Sequence, residues 1–197
     1  GRPKGVGVQH RALASHLEWL LRAYPLAAGD RGLQKTPLGF DPPRGGCWAP
    51  LLSGAELVFA APGAHRDPVE LASAVAAGRI TVLQVVPTLL RVMAEEGVLA
   101  ECGTLRLLFC GGEALPAELA ARASVATGAD VVNLYGPTEA CIQVVTHRFA
   151  GEAGATVPIG RPVDGVGAYV LEADGAPAPV GVPGELYVGG AQVARGY

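Results

Sequence analysis

Ile80-Thr81-Val82-Leu83-Gln84-Val85-Val86 decides the fold class. The run is apolar and rich in β-branched residues, the pattern of a strand covered on both faces of a sheet. Pro87 follows at once, and Pro87 to Glu96 carries a helical pattern. The same unit then repeats, with a strand at Leu105 to Cys110, a helix at Pro116 to Ala126 and a strand at Asp130 to Leu134. Upstream, Asp67-Pro68 supplies a helix cap followed by a first-position proline. Leu71, Val75 and Ala76 form the apolar side of that helix, and Gly78 closes it. Leu57 to Ala60 reads as a strand. Gly5 to Gln9 reads as a short strand feeding a helix from His10 to Tyr24, with Leu13, Leu17, Leu20 and Leu21 on one face and Pro25 and Gly29 beyond its end.

Strands alternating with helices imply an α/β fold, a helix-covered and mainly parallel sheet. Ligand sites in such sheets lie at the carboxyl ends of the strands. Two polar, glycine-rich loops fall there: Gly111-Gly112-Glu113 and Tyr135-Gly136-Pro137-Thr138-Glu139. From about residue 142 the pattern changes to strands at Val144–Phe149, Val166–Leu171 and Glu185–Val188, with a turn at Ala173-Asp174-Gly175. This predicts two parts: residues 1–141 as the α/β portion with the site, and residues 142–197 as a smaller β-rich subdomain of the same core.

Half of the 197 residues are hydrophobic, charged residues are 17%, and the net charge is −3. That balance offers no electrostatic footprint for nucleic acid or an anionic membrane, and no apolar run is long enough to span a bilayer. Cys47, Cys102, Cys110 and Cys141 make no metal-binding spacing and read as reduced thiols in a cytoplasmic protein. His10, His16, His65 and His147 are scattered and read as surface or capping residues, with His16 and Trp19 helping to pack the first helix.

The loop at 135–139 has chemistry of its own. Tyr135 offers a flat face for a base, Thr138 a hydroxyl for a phosphate oxygen, and Glu139 a hard oxygen ligand for Mg²⁺. A plain turn with a helix cap at Thr138 accounts for the local pattern as well. Gly1-Arg2-Pro3-Lys4-Gly5 would suit a phosphate-wrapping loop, and equally a polar turn before a strand.

Asn133 to Glu139 resembles the core motif of nonribosomal peptide synthetase adenylation domains, within the superfamily of acyl-CoA synthetases, luciferases and adenylation domains. The resemblance spans the chain. Gly1–Gly5 is similar to the end of the family's phosphate loop, and Phe40-Asp41 to the start of its substrate-pocket motif. Pro158-Ile159-Gly160-Arg161-Pro162 is typical of the family, and Gly184–Gly190 with Ala194-Arg195-Gly196-Tyr197 resembles a later core motif.

The resemblance implies an enzyme that joins an amino acid to AMP from ATP with Mg²⁺. The acyl group would then pass to the phosphopantetheine thiol of a peptidyl carrier domain, beside condensation domains. It implies that Tyr135 stacks on adenine, and that Gly112, Glu113, Ala114 and Gly136 shape the nucleotide pocket. Thr138 would meet the α-phosphate, Glu139 would hold Mg²⁺, and Lys4 would face the phosphates. Asp41 would pair with the substrate ammonium. Pro42, Gly45, Gln84, Phe109, Gly111, Leu134, Ile142 and Gln143 would line the side-chain pocket. The Gln84 and Gln143 amides there predict a medium or large polar side chain. Pro42-Pro43-Arg44-Gly45 departs from the family's usual small residue, Ser and aromatic stretch. The family's mobile C-terminal subdomain, with its catalytic lysine, is absent from these residues, so the piece alone is expected not to adenylate at a useful rate. The competing readings are an acyl- or aryl-CoA ligase of the same superfamily and a non-catalytic nucleotide-binding domain.

Overall fold

The computed structural model describes residues 4–197; Gly1, Arg2 and Pro3 of the expected phosphate loop lie outside them. In chain order the elements are α1 (His10–Ala23), β1 (Arg31–Gln34), α2 (Pro42–Ser53), β2 (Glu56–Phe59), α3 (Pro68–Gly78), β3 (Val82–Val85) and α4 (Pro87–Glu95). There follow β4 (Leu107–Gly111), α5 (Ala117–Thr127), β5 (Asp130–Tyr135), β6 (Val145–Arg148), β7 (Arg161–Pro162), β8 (Val166–Leu171) and β9 (Glu185–Gly190).

Seven strands form one sheet in the order β2-β1-β3-β4-β5-β6-β7. Pairing is parallel from β2 to β5 and antiparallel through β6 and β7. Parallel neighbours need crossover connections, and α2, α3, α4 and α5 supply them. The two faces of the central strands read directly from their alternation. Leu108, Cys110 and Val131 pack with Leu71, Leu90 and Ala120 of α3, α4 and α5. Leu107, Phe109, Val132 and Leu134 pack with Trp19 of α1 and with Tyr24. Each fully buried leucine, isoleucine or phenylalanine contributes about 1.5–3 kcal/mol, so this double-sided layer is the main source of stability.

Helix α3 begins as expected. The Asp67 carboxylate accepts from the Val69 and Glu70 amides at 2.9 and 3.0 Å. Its other end differs, because Gly78 is the last helical residue and Arg79 takes the left-handed conformation at φ 48°. Three elements have no counterpart among the expected ones: β1, the two-residue β7, and α2, which carries Gly45, Gly46 and an internal Pro50. Gly5 to Gln9 is not a strand; single backbone bonds tie Gly7 to Arg195 and Gly196, at 2.9 and 2.8 Å.

Residues 142–197 are the stretch expected to form a smaller β-rich part of the same core. β6 and β7 extend the large sheet, and only β8 and β9 pair as a sheet of their own. Local alternation marks a strand but not its partner, and the partner of β6 is β5. At the amino ends of the strands, away from the loops of interest, Asp30 binds Arg106 through both oxygens at 2.6 and 2.7 Å and accepts from the Thr81 hydroxyl at 2.8 Å. That pin joins the entries to β1, β3 and β4. The Arg106 guanidinium holds the Asp30 carboxyl down at about 2.

Candidate functional site

Four of the parallel strands give way to loops or turns on one side of the sheet, at Lys35 after β1, Val86 after β3, Gly112 after β4 and Gly136 after β5. These ends and the start of α2 surround a cleft with about 450 Å³ of free space, within the range of small-molecule sites. Its walls bring together Asp41, Pro42, Gln84, Gly111, Gly112, Glu113, Leu134, Gly136, Ile142 and Gln143. Behind Gln84, Leu134 and Gln143 lies a smaller cavity of about 60 Å³, lined by Gly45, Phe109, Tyr24 and Pro50 among others. Gly45 and Phe109 therefore belong to this inner cavity, and the side chains around it are mostly apolar apart from the two shared amides.

Asp41 immediately precedes α2 but does not cap it. Its backbone is already helical, and its carboxylate makes no capping bond. None of the ion pairs among the described residues uses it. A half-buried carboxylate left open to the cleft is suited to a cationic ligand. Glu113 is committed differently. Its Oε2 accepts from the Thr88 amide at 2.8 Å and the Thr88 hydroxyl at 2.5 Å, so it caps α4, and only its remaining oxygen and its backbone face elsewhere.

Close approach explains two glycines. A Cβ on Gly136 would stand 2.3 Å from the Ile142 carbonyl oxygen, and one on Gly111 would stand 2.8 Å from the Leu134 carbonyl oxygen. Neither backbone atom can swing aside. The cleft wall is thus backbone packed on backbone, with any substituent excluded.

Lys4, Ala114, Tyr135, Thr138 and Glu139 do not line the cleft. Ala114, Tyr135 and Thr138 are exposed. Glu139 sits beyond Gly136, where its carboxylate accepts the Tyr197 hydroxyl proton and Lys4 Nζ lies 4.9 Å from the Tyr197 ring centroid. The Tyr197 hydroxyl, with a smaller push from Lys4, holds the Glu139 carboxyl below its usual range. Among the described residues no group of three His, Cys, Asp or Glu could enclose a metal ion. A lone carboxylate at the surface fits Mg²⁺, which takes one or two protein carboxylates and completes its shell with phosphate oxygens and water.

Three polar residues at or behind the site had no sequence signal. Lys35 lines the cleft, and its ammonium reaches only the Thr36 hydroxyl at 3.5 Å. Burial draws it down from 10.5 to about 8. Recognising β1 would have placed Lys35 at a strand's carboxyl end. His16 and Gln192 are wholly buried behind the cleft wall. Burial pulls His16 down from 6.5 to about 4, against a weaker pull upward from the Gln143 backbone and the Gln192 amide. Neither ring nitrogen reaches full hydrogen-bond geometry, so the imidazole is neutral and poorly partnered.

The sequence model of the AMP-binding enzyme family matches residues 1–197. Phosphinothricin tripeptide synthetase PhsB of Streptomyces viridochromogenes is 44% identical over 198 residues, covering the whole of this chain and 17% of the relative. Tyrocidine synthase 3 of Brevibacillus parabrevis is 39% identical over 198 residues, again covering the whole chain, and 3% of the relative. This chain therefore spans less than a fifth of the length of these curated relatives. Among solved structures, the Vibrio cholerae adenylation domain AlmE in complex with glycyl-adenosine-5'-phosphate superposes with a TM-score of 0.90 at 34% identity, covering all of this chain and 38% of that one.

Proposed function

The chain belongs to the AMP-binding enzyme family, and from that premise we propose that it carries the nucleotide and amino-acid pockets of an enzyme that activates an amino acid as its aminoacyl-AMP. One observation carries the reading. Asp41, a carboxylate with no cation to pair with among the described residues, opens into the same cleft as the backbone-walled loops at Gly111–Glu113 and Gly136. An ammonium held by Asp41 places the neighbouring carboxylate in that cleft. PhsB is a tripeptide synthetase by name, and the AlmE complex holds glycyl-adenosine-5'-phosphate, an amino acid joined to AMP. Both support the assignment.

In this reading a carboxylate oxygen of the amino acid attacks the α-phosphorus of ATP, the bond to pyrophosphate breaks, and the acyl group is left on AMP, a good leaving group. The protein's part is positioning and charge balance. Asp41 fixes the ammonium, Gly112 and Gly136 let backbone approach the nucleotide, and Tyr135 offers its ring to the base. Thr138 offers a hydroxyl, and Lys35 and Lys4 offer positive charge. Glu139 would hold Mg²⁺, which neutralises phosphate charge when bound. Gln84 and Gln143 face the substrate side chain, favouring a polar group. Passage of the acyl group to the phosphopantetheine thiol of a carrier domain, beside condensation domains, completes the proposal.

ATP–pyrophosphate exchange by the full-length protein tests it. Asp41→Asn removes the counter-charge, and losing one partner of a buried pair costs about 3–5 kcal/mol. The amino-acid KM should rise at least about a hundredfold while the ATP KM stays nearly constant. Exchange driven as well by acids without an amino group, or an amino-acid KM that ignores Asp41→Asn, would favour an acyl- or aryl-CoA ligase instead.

A further inference from the structure

The wall between Gly136 and the cleft is held in a costly conformation. Cys141 and Ile142 are consecutive residues with φ of 58° and 76°, in the left-handed region that side chains avoid. For a β-branched residue such as Ile142 this is a true outlier. Both are buried, at 1% and 4% exposure, so neither conformation is an accident of a loose surface loop. Such conformations persist only where the surroundings over-determine them.

The surroundings can be named. On one side the Ile142 carbonyl is pressed against Gly136, where no Cβ fits. On the other side stands the side chain of Gln192, two residues beyond the end of β9 and wholly buried. In the amide orientation that satisfies both its ends, its nitrogen donates to the Cys141 carbonyl at 3.2 Å and to the Gln143 carbonyl at 3.0 Å. One amide thus bridges the two carbonyls that flank Ile142. His16 backs this clamp. Its polar neighbours are the Gln143 backbone and the Gln192 amide, and its Nε2 lies 3.2 Å from where a Gly45 Cβ would stand.

The geometry points to Gln192 as a positioning residue for amino-acid selection. It acts through the turn it clamps: Ile142 and Gln143 line the cleft, and Gln143 also lines the inner cavity. Releasing the clamp lets the turn relax towards ordinary backbone and moves the surface that meets the substrate side chain. Those two hydrogen bonds end on the Cys141 and Gln143 carbonyls and reach neither Gly112 nor the Glu139 carboxylate, and the Glu139 carbonyl keeps its own bond from the Ala194 amide at 2.7 Å. The inference rests on the amino-acid-activating reading above. It adds that selectivity is set in part by a residue with no access to the substrate.

Gln192→Met in the full-length protein keeps the volume and removes the donor. In ATP–pyrophosphate exchange the amino-acid KM should rise about tenfold or more, and the preference for the best amino acid over its nearest competitor should fall by a similar factor. The ATP KM should change less than about twofold. A residue that served packing alone would lower active-enzyme concentration and leave both KM values and the preference unmoved; that result overturns the proposal. Cys141→Gly is the second variant, because glycine adopts φ 58° without strain. With the strain at the first of the two left-handed positions relieved and that at Ile142 retained, adding Gln192→Met should raise the amino-acid KM by clearly less than it does in the parent background. An undiminished loss in that background overturns the proposal as well. If Gln192→Met alone does not fold, the double variant should restore folding and exchange, and its failure to do so counts against the clamp. Absence of exchange with any amino acid in the parent enzyme would defeat the activity reading. Exchange that is intact but indifferent to Gln192 would defeat only this inference.

Discussion

Lys35 offers a direct test of how the cleft is built. Its ammonium is half-buried at the end of β1 with the Thr36 hydroxyl at 3.5 Å and no anion paired with it among the described residues. Burial draws its pKa from 10.5 to about 8. At about 1.4 kcal/mol per pH unit, that gap sets a ceiling of about 3 kcal/mol on the cost of keeping the charge there. Water that reaches a half-buried group lowers the figure, so Lys35→Met should stabilise the protein by about 1–3 kcal/mol at pH 7. The sign with pH follows from the depressed value. Below about 8 the lysine is protonated in folded and unfolded chains alike, and the full penalty applies. Between about 8 and 10.5 the folded state has already released its proton while the unfolded state still holds one, so the parent gains stability as pH rises and the advantage of Lys35→Met shrinks towards zero. Urea denaturation of both proteins, followed by the fluorescence of Trp19 and Trp48, at pH 7 and at pH 10 measures this. A variant no more stable than the parent at pH 7 would refute the reasoning, since it would mean that the ammonium has a compensating partner. An advantage that does not shrink with pH would refute it too.

Two further perturbations probe the loops after β5. Gly136→Ala places a methyl 2.3 Å from the Ile142 carbonyl oxygen. It should cost about 1–3 kcal/mol in a urea titration and raise the amino-acid and ATP KM values together; unchanged kinetics would mean that the wall is not tightly packed. Glu139→Gln keeps an acceptor for the Tyr197 hydroxyl but loses the charge, so stability should hold while the Mg²⁺ concentration for half-maximal exchange rises at least about tenfold. An unshifted Mg²⁺ dependence would place the metal elsewhere.

How much of this was legible in the sequence depends on the range of the interactions involved. β3, β4 and β5 announce themselves because each is buried by helices next to it in the chain, so the local apolar run carries the information. The same holds for the Asp67-Pro68 start of α3, whose cap bonds reach only two and three residues. Helix α2 was hidden because it opposes every local preference, with Gly45, Gly46 and Pro50 inside it. Its large apolar residues Trp48, Leu51 and Leu52 are 50–59% exposed, so no single stripe marks its buried face. β6 was seen as a strand without its partner, because antiparallel pairing with β5 is a property of two segments and not of one.

The site divides along the same line. The residues brought into the cleft came from loops whose polarity at a strand end has no packing explanation, and from a motif resemblance that gave Asp41 and the side-chain pocket. Residues whose importance lies in a distant contact left no trace. Gln192 meets carbonyls of Cys141 and Gln143, about fifty positions earlier in the chain. His16 matters through the absent side chain of Gly45. In sequence these two read as a loop glutamine and a helix-packing histidine. In the fold they stand behind the one wall whose backbone is strained, and strain is a form of information that a residue pattern does not carry. If that wall sets which amino acid is accepted, then selectivity in this protein is stored partly in backbone conformation, and side chains that line the pocket are an incomplete guide to it.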